Sequence, residues 1–556
     1  MKTFRFYVVA FFMASCATVQ HTTLTDTQVK DELKKHISTL ASDEFEGRET
    51  GTHGEALAMN YIEQRFKDAR LQPKGEKKFI QEFTFTEGAN LGAGNQLYVN
   101  THKFKLNTDF YPLPYSASGT YTGYITRVGY GIYAPMLKQD DYKGKGNLEK
   151  KIFVIDAGYP DGDNVHGKFG DYDLQQRIQY ASSRGARAVI FIMKDTATGE
   201  PRADFMHRIT PMSIPVLYAR GKAADLLRDS VVINCTVGAD VQRISKTGHN
   251  VIGYIDNHAA NTVVIGAHYD HLGYGGESSL YRGERAIHNG ADDNASGTAA
   301  LLVLAKQLQA SGDKKNNYLL AAFSGEEKGL LGSNYFVKHP TVDMKKVNYM
   351  INMDMVGRLK PDEKTVIVSG TGTSPAWKTA LDSVMEGIRI HQTESGVGPS
   401  DHTSFYLDSI PVLHFFSGTH SDYHKPSDDE PLINYDGEAA IIKIIQAVIH
   451  KLDDAPKLAY VKTKDDSTEV PRFKVTLGVV PDYAFEGEGM RIDGVTDGKP
   501  ASKAGLLKGD IVIQLGENHV TDLMTYMKAL GKFSKGETTK VKVKRGNETV
   551  EKDITF

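Results

Sequence analysis

The sequence predicts an α/β protein whose main sheet is mixed, mostly parallel and flanked by helices. Short β-rich runs alternate with helical patterns between residues 246 and 455, an alternation typical of a parallel sheet covered by helices. Hydrophobic residues make up 40% and charged residues 24% of the 556 residues, which is ordinary globular usage. At about 150 residues per domain, a chain of this length is expected to form several domains.

The charge balance argues against one class of partner. Lys and Arg number 66 against 69 Asp and Glu, a formal net charge of −3, so there is no overall positive field for a phosphate backbone. We therefore expect no nucleic acid partner. Only two cysteines occur, so no disulfide framework is expected, and Cys235 is most simply a small core residue.

Residues 1–16 predict an export signal. Lys2 and Arg5 precede an apolar run at 6–14 that is far shorter than the ~20 residues needed to span a bilayer. The sequence MASC at 13–16 resembles a bacterial lipoprotein cleavage site, which implies that Cys16 becomes a lipidated N-terminus. The expected location is therefore the cell envelope, in the periplasm or on the outer surface, with membrane contact only through the lipid. An ordinary secretory signal with an incidental cysteine is the alternative.

Residues 25–112 predict the first part of the main domain. The pattern is helical from Thr25 to about Leu71, with Thr52 as a candidate N-cap and Pro73 as the limit of the helix. An alternating, strand-like run follows at 81–85.

Residues 113–245 predict an inserted β-rich α/β domain. A strand at 151–155 precedes a helical face formed by Leu174, Ile178 and Ala181, and a second strand follows at 188–193. This segment resembles the protease-associated domain that is inserted in several exopeptidases.

A separate C-terminal module is predicted at 471–556, after a polar linker at 456–470. Leu477-Gly478-Val479-Val480 resembles the peptide-binding loop of a PDZ domain, and AGLLKGDIV at 504–512 resembles the AGL-x-x-GD core of that domain. The resemblance implies a β-barrel-like PDZ domain that captures a protein C-terminus as an added strand.

The residues that carry chemistry follow the predicted strands of 246–455. Open α/β sheets bind ligands beyond the carboxyl ends of their strands, so side chains placed there converge on one crevice. The candidates at or after strand ends are His268, Asp270, Glu326, Glu327, Asp354 and His424. The pair Asp292-Asp293 is a further candidate, in the loop that opens a helix at about Ser296.

This set of nitrogen and oxygen donors, which includes no cysteine, suits zinc, with cobalt or manganese as alternatives. Zinc accepts imidazole and carboxylate ligands, but one catalytic zinc usually keeps three protein ligands and an open position. If Asp293, Glu327 and Asp354 are the carboxylate ligands, these three and the two histidines exceed that number. Two zinc ions that share one carboxylate account for all of them.

The combined motifs resemble the two-zinc exopeptidase family that contains secreted bacterial leucyl aminopeptidases and glutamate carboxypeptidase. The resemblance covers roughly 25–112 and 246–452 and implies the zinc exopeptidase fold. It implies that His268 and Asp354 bind one zinc, that Glu327 and His424 bind the other, and that Asp293 bridges them. It also implies a cis peptide bond after Asp293.

Neighbouring residues receive roles from the same resemblance. The Asp270 carboxylate is expected to contact the imidazole of His268 on the side away from the metal and so to orient it. Asp401-His402 matches a motif of the family close to the metals, with a helix start as the alternative. Because five ligands complete the set, His271 and His288 are not expected to bind metal.

Glu326 is the expected general base. It would take a proton from the water bound between the zinc ions as that water attacks the scissile carbonyl, and would then protonate the leaving amine. The expected function is zinc-dependent hydrolysis of peptide bonds at the N-terminus of peptides.

Other functions stay open at this point. A carboxypeptidase or dipeptidase of the glutamate carboxypeptidase type is the main alternative, although no basic cluster for an acidic C-terminus is identifiable. A glutaminyl cyclase with one zinc, or a non-catalytic receptor or scaffold, is less favoured.

Overall fold

The structure is a computed structural model. It describes residues 24–556 except 161–167, 170–171, 194–199, 202–210, 230–233, 277, 282, 383–386, 464–474, 482–484, 486–487, 496–497, 522, 534–535 and 547. The predicted export signal, Cys16 and residues 464–470 of the predicted linker lie outside the described residues. The chain divides into two compact units, one formed by the residues up to Glu82 together with His249–Phe556, the other by Phe83–Gly248.

The first unit begins with two helices, α1 (Asp26–Leu40) and α2 (His53–Asp68). Thr25 and Gln28 form a reciprocal capping box at the start of α1, and the predicted N-cap Thr52 accepts from the backbone N–H of Glu55 in α2. The predicted helical stretch is interrupted by a tight turn, Asp43–Arg48. Two strands follow, β1 (Gln72–Pro73) and β2 (Ile80–Leu91).

The second unit is β-rich and includes two helices among its described residues. Its elements are β3 (Gln96–Val99), β4 (His102–Lys103), β5 (Phe110–Pro112), β6 (Gly119–Arg127), β7 (Tyr133–Ala134), β8 (Gln139–Asp140), β9 (Lys151–Asp156), α3 (Leu174–Ser183), β10 (Ala186–Ile192), β11 (Val216–Ala219), α4 (Gly221–Asp229) and β12 (Asn234–Ala239). The main sheet of this unit has the order β4-β3-β12-β6-β9-β10-β11-β5. The unit starts before residue 113 because β3 and β5 pair into this sheet. Cys235 is buried in its core, as expected.

The strands and helices of the first unit then resume within β13, whose residues before His249 belong to the second unit. They are β13 (Val241–Ile255), β14 (Asn261–His268), α5 (Gly297–Ala310), β15 (Asn316–Phe323), α6 (Leu331–Lys338), β16 (Val347–Met353), β17 (Thr365–Ser369), α7 (Ala376–Asp382), β18 (Arg389–Thr393), α8 (His402–Leu407), β19 (Val412–Phe416) and α9 (Tyr435–Asp453).

These strands form the predicted mixed, mostly parallel sheet. Its order is β1-β13-β15-β14-β16-β19-β17-β18, with β2 also paired to β13. Pairing is parallel at β14–β15, β14–β16, β16–β19 and β17–β18, and antiparallel at β1–β13, β13–β15 and β17–β19. β14, β15 and β16 are buried along almost their whole length because they lie in the middle of the sheet and are covered on both faces.

The C-terminal segment forms an antiparallel domain with its own core. Its elements are β20 (Val479–Pro481), β21 (Met490–Val495), α10 (Pro500–Ala504), β22 (Ile511–Leu515), β23 (Asn518–His519), α11 (Leu523–Leu530), β24 (Thr538–Arg545) and β25 (Glu548–Thr555). The strand order is β20-β21-β22-β24-β25, with β23 paired to β22. Among all the described helices of the protein, none combines the length and the apolar character needed to cross a bilayer.

Candidate metal centre

Three parallel strands bring the predicted site residues to one edge of the sheet. His268 ends β14 and pairs in register with Phe323 at the end of β15, while Gly266 pairs with Asn352 near the end of β16. Glu326 and Glu327 follow β15, and Asp354 follows β16. Because the strands are parallel and in register, their carboxyl ends place these side chains together.

The first group of donors is formed by His268, Asp293 and Asp354, whose candidate ligand atoms all lie within 4.8 Å of one another. The Nε2 atom of His268 is 3.3 Å from Oδ1 of Asp354 and 3.5 Å from Oδ1 of Asp293. One imidazole nitrogen and two carboxylate oxygens in a buried position are donors that zinc accepts. These residues fit one divalent cation.

The second group lies on the other side of Asp293. Nε2 of His424 is 3.2 Å from Oδ2 of Asp293 and 3.3 Å from Oε2 of Glu327. Asp293 therefore turns one carboxylate oxygen towards each group. This is the geometry that a bridging carboxylate needs, and all five predicted ligands meet here.

His271 also lies in the second group, although it was not expected to bind metal. Its Nδ1 atom is 2.9 Å from Oε1 of Glu327, and its side chain is fully buried. The hydrogen bond holds the Glu327 carboxylate in place, and His271, Asp293 and Glu327 could also hold a cation together. His288 is different, because Nδ1 contacts the carbonyl of Ala286 and Nε2 contacts the hydroxyl of Ser279.

The loop that carries Asp293 is held by a carboxylate outside the predicted set. The peptide bond between Asp293 and Asn294 is cis, which confirms the expectation from the family resemblance. Oδ2 of Asp428 accepts the backbone N–H groups of Asp292 and Asp293, each at 3.1 Å. Asp292 in turn accepts from the N–H of Gly357, while its other oxygen is 3.2 Å from Nε2 of His420.

Asp270 lies beside His268, but its carboxylate is 3.7 Å from Nδ1, longer than a hydrogen bond. The nearer acceptor for that nitrogen is the backbone carbonyl of Asp270, at 3.2 Å. The Asp270 carboxylate instead accepts from the N–H of Glu326 and from the hydroxyl of Thr50. Asp270 therefore connects the His268 loop to the backbone of the expected general base.

Burial and neighbouring charges shift the pKa values of the adjacent Glu326 and Glu327 in opposite directions. Burial raises the pKa of Glu326 well above its ordinary value, against the opposing effect of His268, and the nearby Asp354 and Glu327 raise it further. Burial also acts on Glu327, but His424 and His271 hold its pKa well below its ordinary value. The two adjacent carboxyl groups therefore have pKa values shifted in opposite directions. A bound divalent cation favours the ionised form of every nearby carboxylate.

Asp401 lies at the start of α8, but its side chain makes no capping hydrogen bond to the helix. Burial raises its pKa to about 7, and the charges of Asp270 and Asp354 act in the same direction. Asp401 thus gives α8 no side-chain cap, and its role near the proposed metal centre stays a prediction.

The PDZ-like loop occupies the start of β20. Gly478 has φ +78°, a conformation that glycine adopts without strain, and the carbonyl of Leu477 accepts from the N–H of Ala501. Ile492 is the partner of Pro481 across β20 and β21. The N–H of Ile492 donates to the carbonyl of Asp510, and the carbonyl of Ile492 accepts from the N–H of Gly509. Since paired residues of an antiparallel ladder turn their polar groups the same way relative to the pair, the Pro481 carbonyl points to the free edge of β20.

Two family models and several curated proteins are similar to parts of this chain. Residues 250–449 match the model of peptidase family M28, and residues 449–556 match the model of the PDZ domain. A probable leucine aminopeptidase of Trichophyton verrucosum is 28% identical over 238 residues, which cover 40% of this chain and 61% of the relative. An aminopeptidase of Pseudomonas aeruginosa is 25% identical over 403 residues, 69% of each chain.

Solved structures were matched as well. An aminopeptidase from Aneurinibacillus sp. strain AM-1 has a TM-score of 0.44 and 22% identity, covering 79% of this chain and 97% of that one. A zinc aminopeptidase from Bacillus subtilis has a TM-score of 0.42 and 21% identity, covering 78% and 96%. The chain spans about three fifths of the length of the fungal relative, 61%.

The sheet, its strand-end site and the family match together define a peptidase domain joined to a peptide-recognition domain. Residues 250–449 are thus similar to peptidase family M28, and residues 449–556 are similar to the PDZ domain.

Proposed function

We propose that the protein is a zinc-dependent exopeptidase that binds two zinc ions and removes residues from the N-terminus of peptides. One observation carries the proposal: Asp293 turns one oxygen to His268 and the other to His424, so two donor groups share a carboxylate. The aminopeptidase names of the relatives support the choice of the peptide N-terminus. His268 and Asp354 would hold one zinc, Glu327 and His424 the other.

The chemistry requires a base beside the nucleophilic water. Bound zinc ions would polarise the scissile carbonyl and make water acidic. Glu326 accepts the proton of the attacking water and delivers it to the leaving amine. The backbone of Glu326 is fixed by the hydrogen bond from its N–H to the Asp270 carboxylate.

The test combines a substrate panel with a variant of the base. Wild-type protein is expected to cleave peptides with a free N-terminal amine and to leave N-acetylated copies of the same peptides intact. Glu326→Gln is expected to lower kcat by about 10²- to 10⁴-fold while two zinc ions per chain stay bound. Mass spectrometry of products and metal analysis of the same samples measure both quantities.

Each alternative has its own outcome. Cleavage of N-acetylated peptides from their free C-terminus would replace the proposal by a carboxypeptidase. One zinc per chain with conversion of N-terminal glutamine would indicate a glutaminyl cyclase. Full zinc occupancy with no turnover of any peptide would indicate a binding protein.

For the remaining parts of the chain we propose three further assignments. The unit Phe83–Gly248 is a protease-associated domain, supported by its β-rich sheet with α3 and α4. The PDZ domain binds the free C-terminus of a protein or peptide along Leu477-Gly478-Val479-Val480. The protein is exported and anchored through a lipid on Cys16, supported by the sequence MASC.

The lipid anchor is tested in a bacterial host. The wild-type protein is expected to incorporate a radiolabelled fatty acid and to fractionate with membranes, whereas Cys16→Ser is not. Label in the Cys16→Ser protein, or none in the wild type, would remove the anchor and leave the peptidase proposal unaffected.

A further inference from the structure

A buried arginine side chain, that of Arg48, lies next to the proposed metal centre. Arg48 closes the turn Asp43–Arg48 between α1 and α2, has φ +51° and is 0% exposed. A guanidinium stays charged in proteins, so burying it is costly unless its donors are used. Burial lowers the pKa of Arg48 to about 10, and the nearby carboxylates of Asp293 and Asp270 oppose that change.

The donors of Arg48 are used on the two loops that carry metal ligands. Nε donates to the carbonyl of Tyr269 at 2.8 Å, directly after the ligand His268. Nη1 donates to the carbonyl of Asn289 at 2.7 Å, and Nη2 to that of Gly290 at 2.9 Å, just before Asp292 and Asp293. Nη1 also donates to the carbonyl of Leu40 at the end of α1.

The backbone of the turn Asp43–Arg48 also makes hydrogen bonds to the loop that follows His268. The carbonyl of Arg48 accepts from the N–H of His271, and the carbonyl of Gly47 accepts from that of Gly273. A Cβ atom at Gly47 would lie 2.5 Å from the carbonyl oxygens of Gly273 and His288, so the turn packs directly against the loop. The guanidinium therefore sits where three stretches of chain converge.

We infer that Arg48 is a positioning residue for the zinc centre: its planar fork fixes the loop after β14 to the loop before Asp293. His268 and Asp293 must lie within a few ångströms of each other, yet their loops are joined by no strand pairing. One rigid group with donors in fixed directions sets the spacing of both loops, which a flexible ammonium group does not reproduce. This inference rests on the zinc site of the proposed function.

The chain contains a matched control. Arg177 in the second unit is also 0% exposed and also donates to backbone carbonyls, those of Tyr172, Asp156 and Gly158. It lies in the unit Phe83–Gly248, which contains none of the proposed ligands. Substitutions at Arg177 therefore reproduce the loss of a buried guanidinium without touching the metal loops.

The experiment measures zinc affinity of the full chain by competition with a chromogenic chelator, for wild type, Arg48→Lys, Arg48→Met, Arg177→Lys and Arg177→Met. Loss of groups that orient metal ligands typically weakens metal binding by about 10- to 100-fold. Both Arg48 variants are expected to show that loss, and both Arg177 variants are expected to keep wild-type affinity even where their melting temperature falls.

Each result decides the inference. If Arg48→Lys binds zinc with wild-type affinity, a positive charge alone is enough to position the loops, and the proposed role of the planar guanidinium is wrong. An equal loss in the Arg177 variants would reduce the effect to general destabilisation. If Arg48→Met does not fold, Arg48→Lys decides alone. A wild-type protein that binds no zinc would remove the proposed function and this inference together, whereas intact binding with unaffected Arg48 variants would remove only the inference.

Discussion

Asp428 holds the backbone that carries Asp293, the proposed shared ligand. One of its carboxylate oxygens accepts two consecutive backbone N–H groups, those of Asp292 and Asp293. Asp428 is fully buried, and burial together with the charge of Asp292 raises its pKa to about 6. Its acceptor oxygen fixes the backbone from which the bridging carboxylate projects.

Replacing Asp428 by Asn tests this role. The amide keeps the size of the side chain but replaces one oxygen by a donor and removes the charge, so the two N–H groups are held more weakly. We expect zinc affinity to fall by about tenfold, with kcat reduced less once zinc is saturating. Isothermal titration with zinc measures the affinity.

Asp429→Asn is the control for that experiment. Asp429 neighbours Asp428 and accepts from the side chain of Asn289 without contacting Asp292 or Asp293. Its variant is expected to retain wild-type affinity. Equal losses in both variants would contradict a specific role for Asp428.

At the level of residues, the sequence predicts the side chains that follow strands better than those that reach the site through loops. His268, Glu327 and Asp354 are predictable because strand ends of a parallel sheet must meet. His271, Asp428 and Arg48 were missed because their contacts depend on the path of irregular loops. An arginine beside a glycine in Glu46-Gly47-Arg48-Glu49 gives no local sign that it will be buried.

Helix α2 and strand β13 are connected by a charged pair, and this connection depends on pH. The Glu55 carboxylate accepts the backbone N–H of His249 at 2.9 Å and lies 3.3 Å from its Nδ1. The hydrogen bond to Glu55 raises the pKa of His249 above its ordinary 6.5, against the opposing effect of burial. The protonated histidine is therefore favoured in the folded protein.

The sign of the pH dependence follows from that shift. Because the folded pKa is above the unfolded value of 6.5, the stabilisation is fully present below pH 6.5 and is lost as pH rises through the folded pKa. His249 is partly exposed, so the contribution is at most about 1 kcal/mol. We expect the stability difference between wild type and His249→Gln to shrink as pH rises from 6.5, measured by urea denaturation.

His258→Gln is the matched control, because the side chain of His258 is 91% exposed next to Asp256. Its variant is expected to follow the wild type across the pH range. A stability difference for His249→Gln that grows with rising pH would contradict the assignment.

Strand β20 of the PDZ domain contacts a loop of the peptidase domain. The Thr419 hydroxyl donates to the Pro481 carbonyl at 3.1 Å, on the free edge where a peptide would add. A bound peptide must replace this hydrogen bond. We expect Thr419→Val to bind a peptide with a free C-terminus about two- to tenfold more tightly, since one hydrogen bond no longer competes. Fluorescence anisotropy of a labelled, N-acetylated peptide measures this, because an N-acetylated peptide is not expected to be a substrate.

Two controls accompany the Thr419 measurement. A C-terminally amidated copy of the peptide is expected to bind neither protein. Ser421→Ala changes the same loop without contacting Pro481 and is expected to match the wild type. Weaker binding by Thr419→Val would show that the hydroxyl assists the peptide instead of competing with it.

At the level of elements, long buried segments are the predictable part. β14, β15 and β16 are continuous apolar runs, and α3 and α5 show clear helical faces. The start of the inserted unit is less predictable, because β3, β4 and β5 are two to four residues long and gain their stability from strands far away in the sequence.

Among the described residues, the protein has separate hydrophobic cores in the main α/β domain, in the second unit and in the PDZ domain. One core of the α/β domain includes Ala291 and Ala295 next to Asp293, and all five proposed zinc ligands lie in that domain. Proteins with several cores commonly unfold in more than one transition. Zinc should therefore stabilise one part of the chain selectively.

Removing zinc tests that expectation. Without cations, Asp293, Glu327 and Asp354 remain together in a buried site, where like charges repel. Zinc at 100 times its dissociation constant adds about 2.7 kcal/mol to the folded state, which corresponds to roughly 5–10 °C for a domain of this size. We expect a chelator to lower one calorimetric transition by that amount and zinc to restore it, with the other transitions unmoved. If every transition shifts together, the cores are coupled and the cation stabilises the whole chain; if none shifts, the buried carboxylates are not held by a metal.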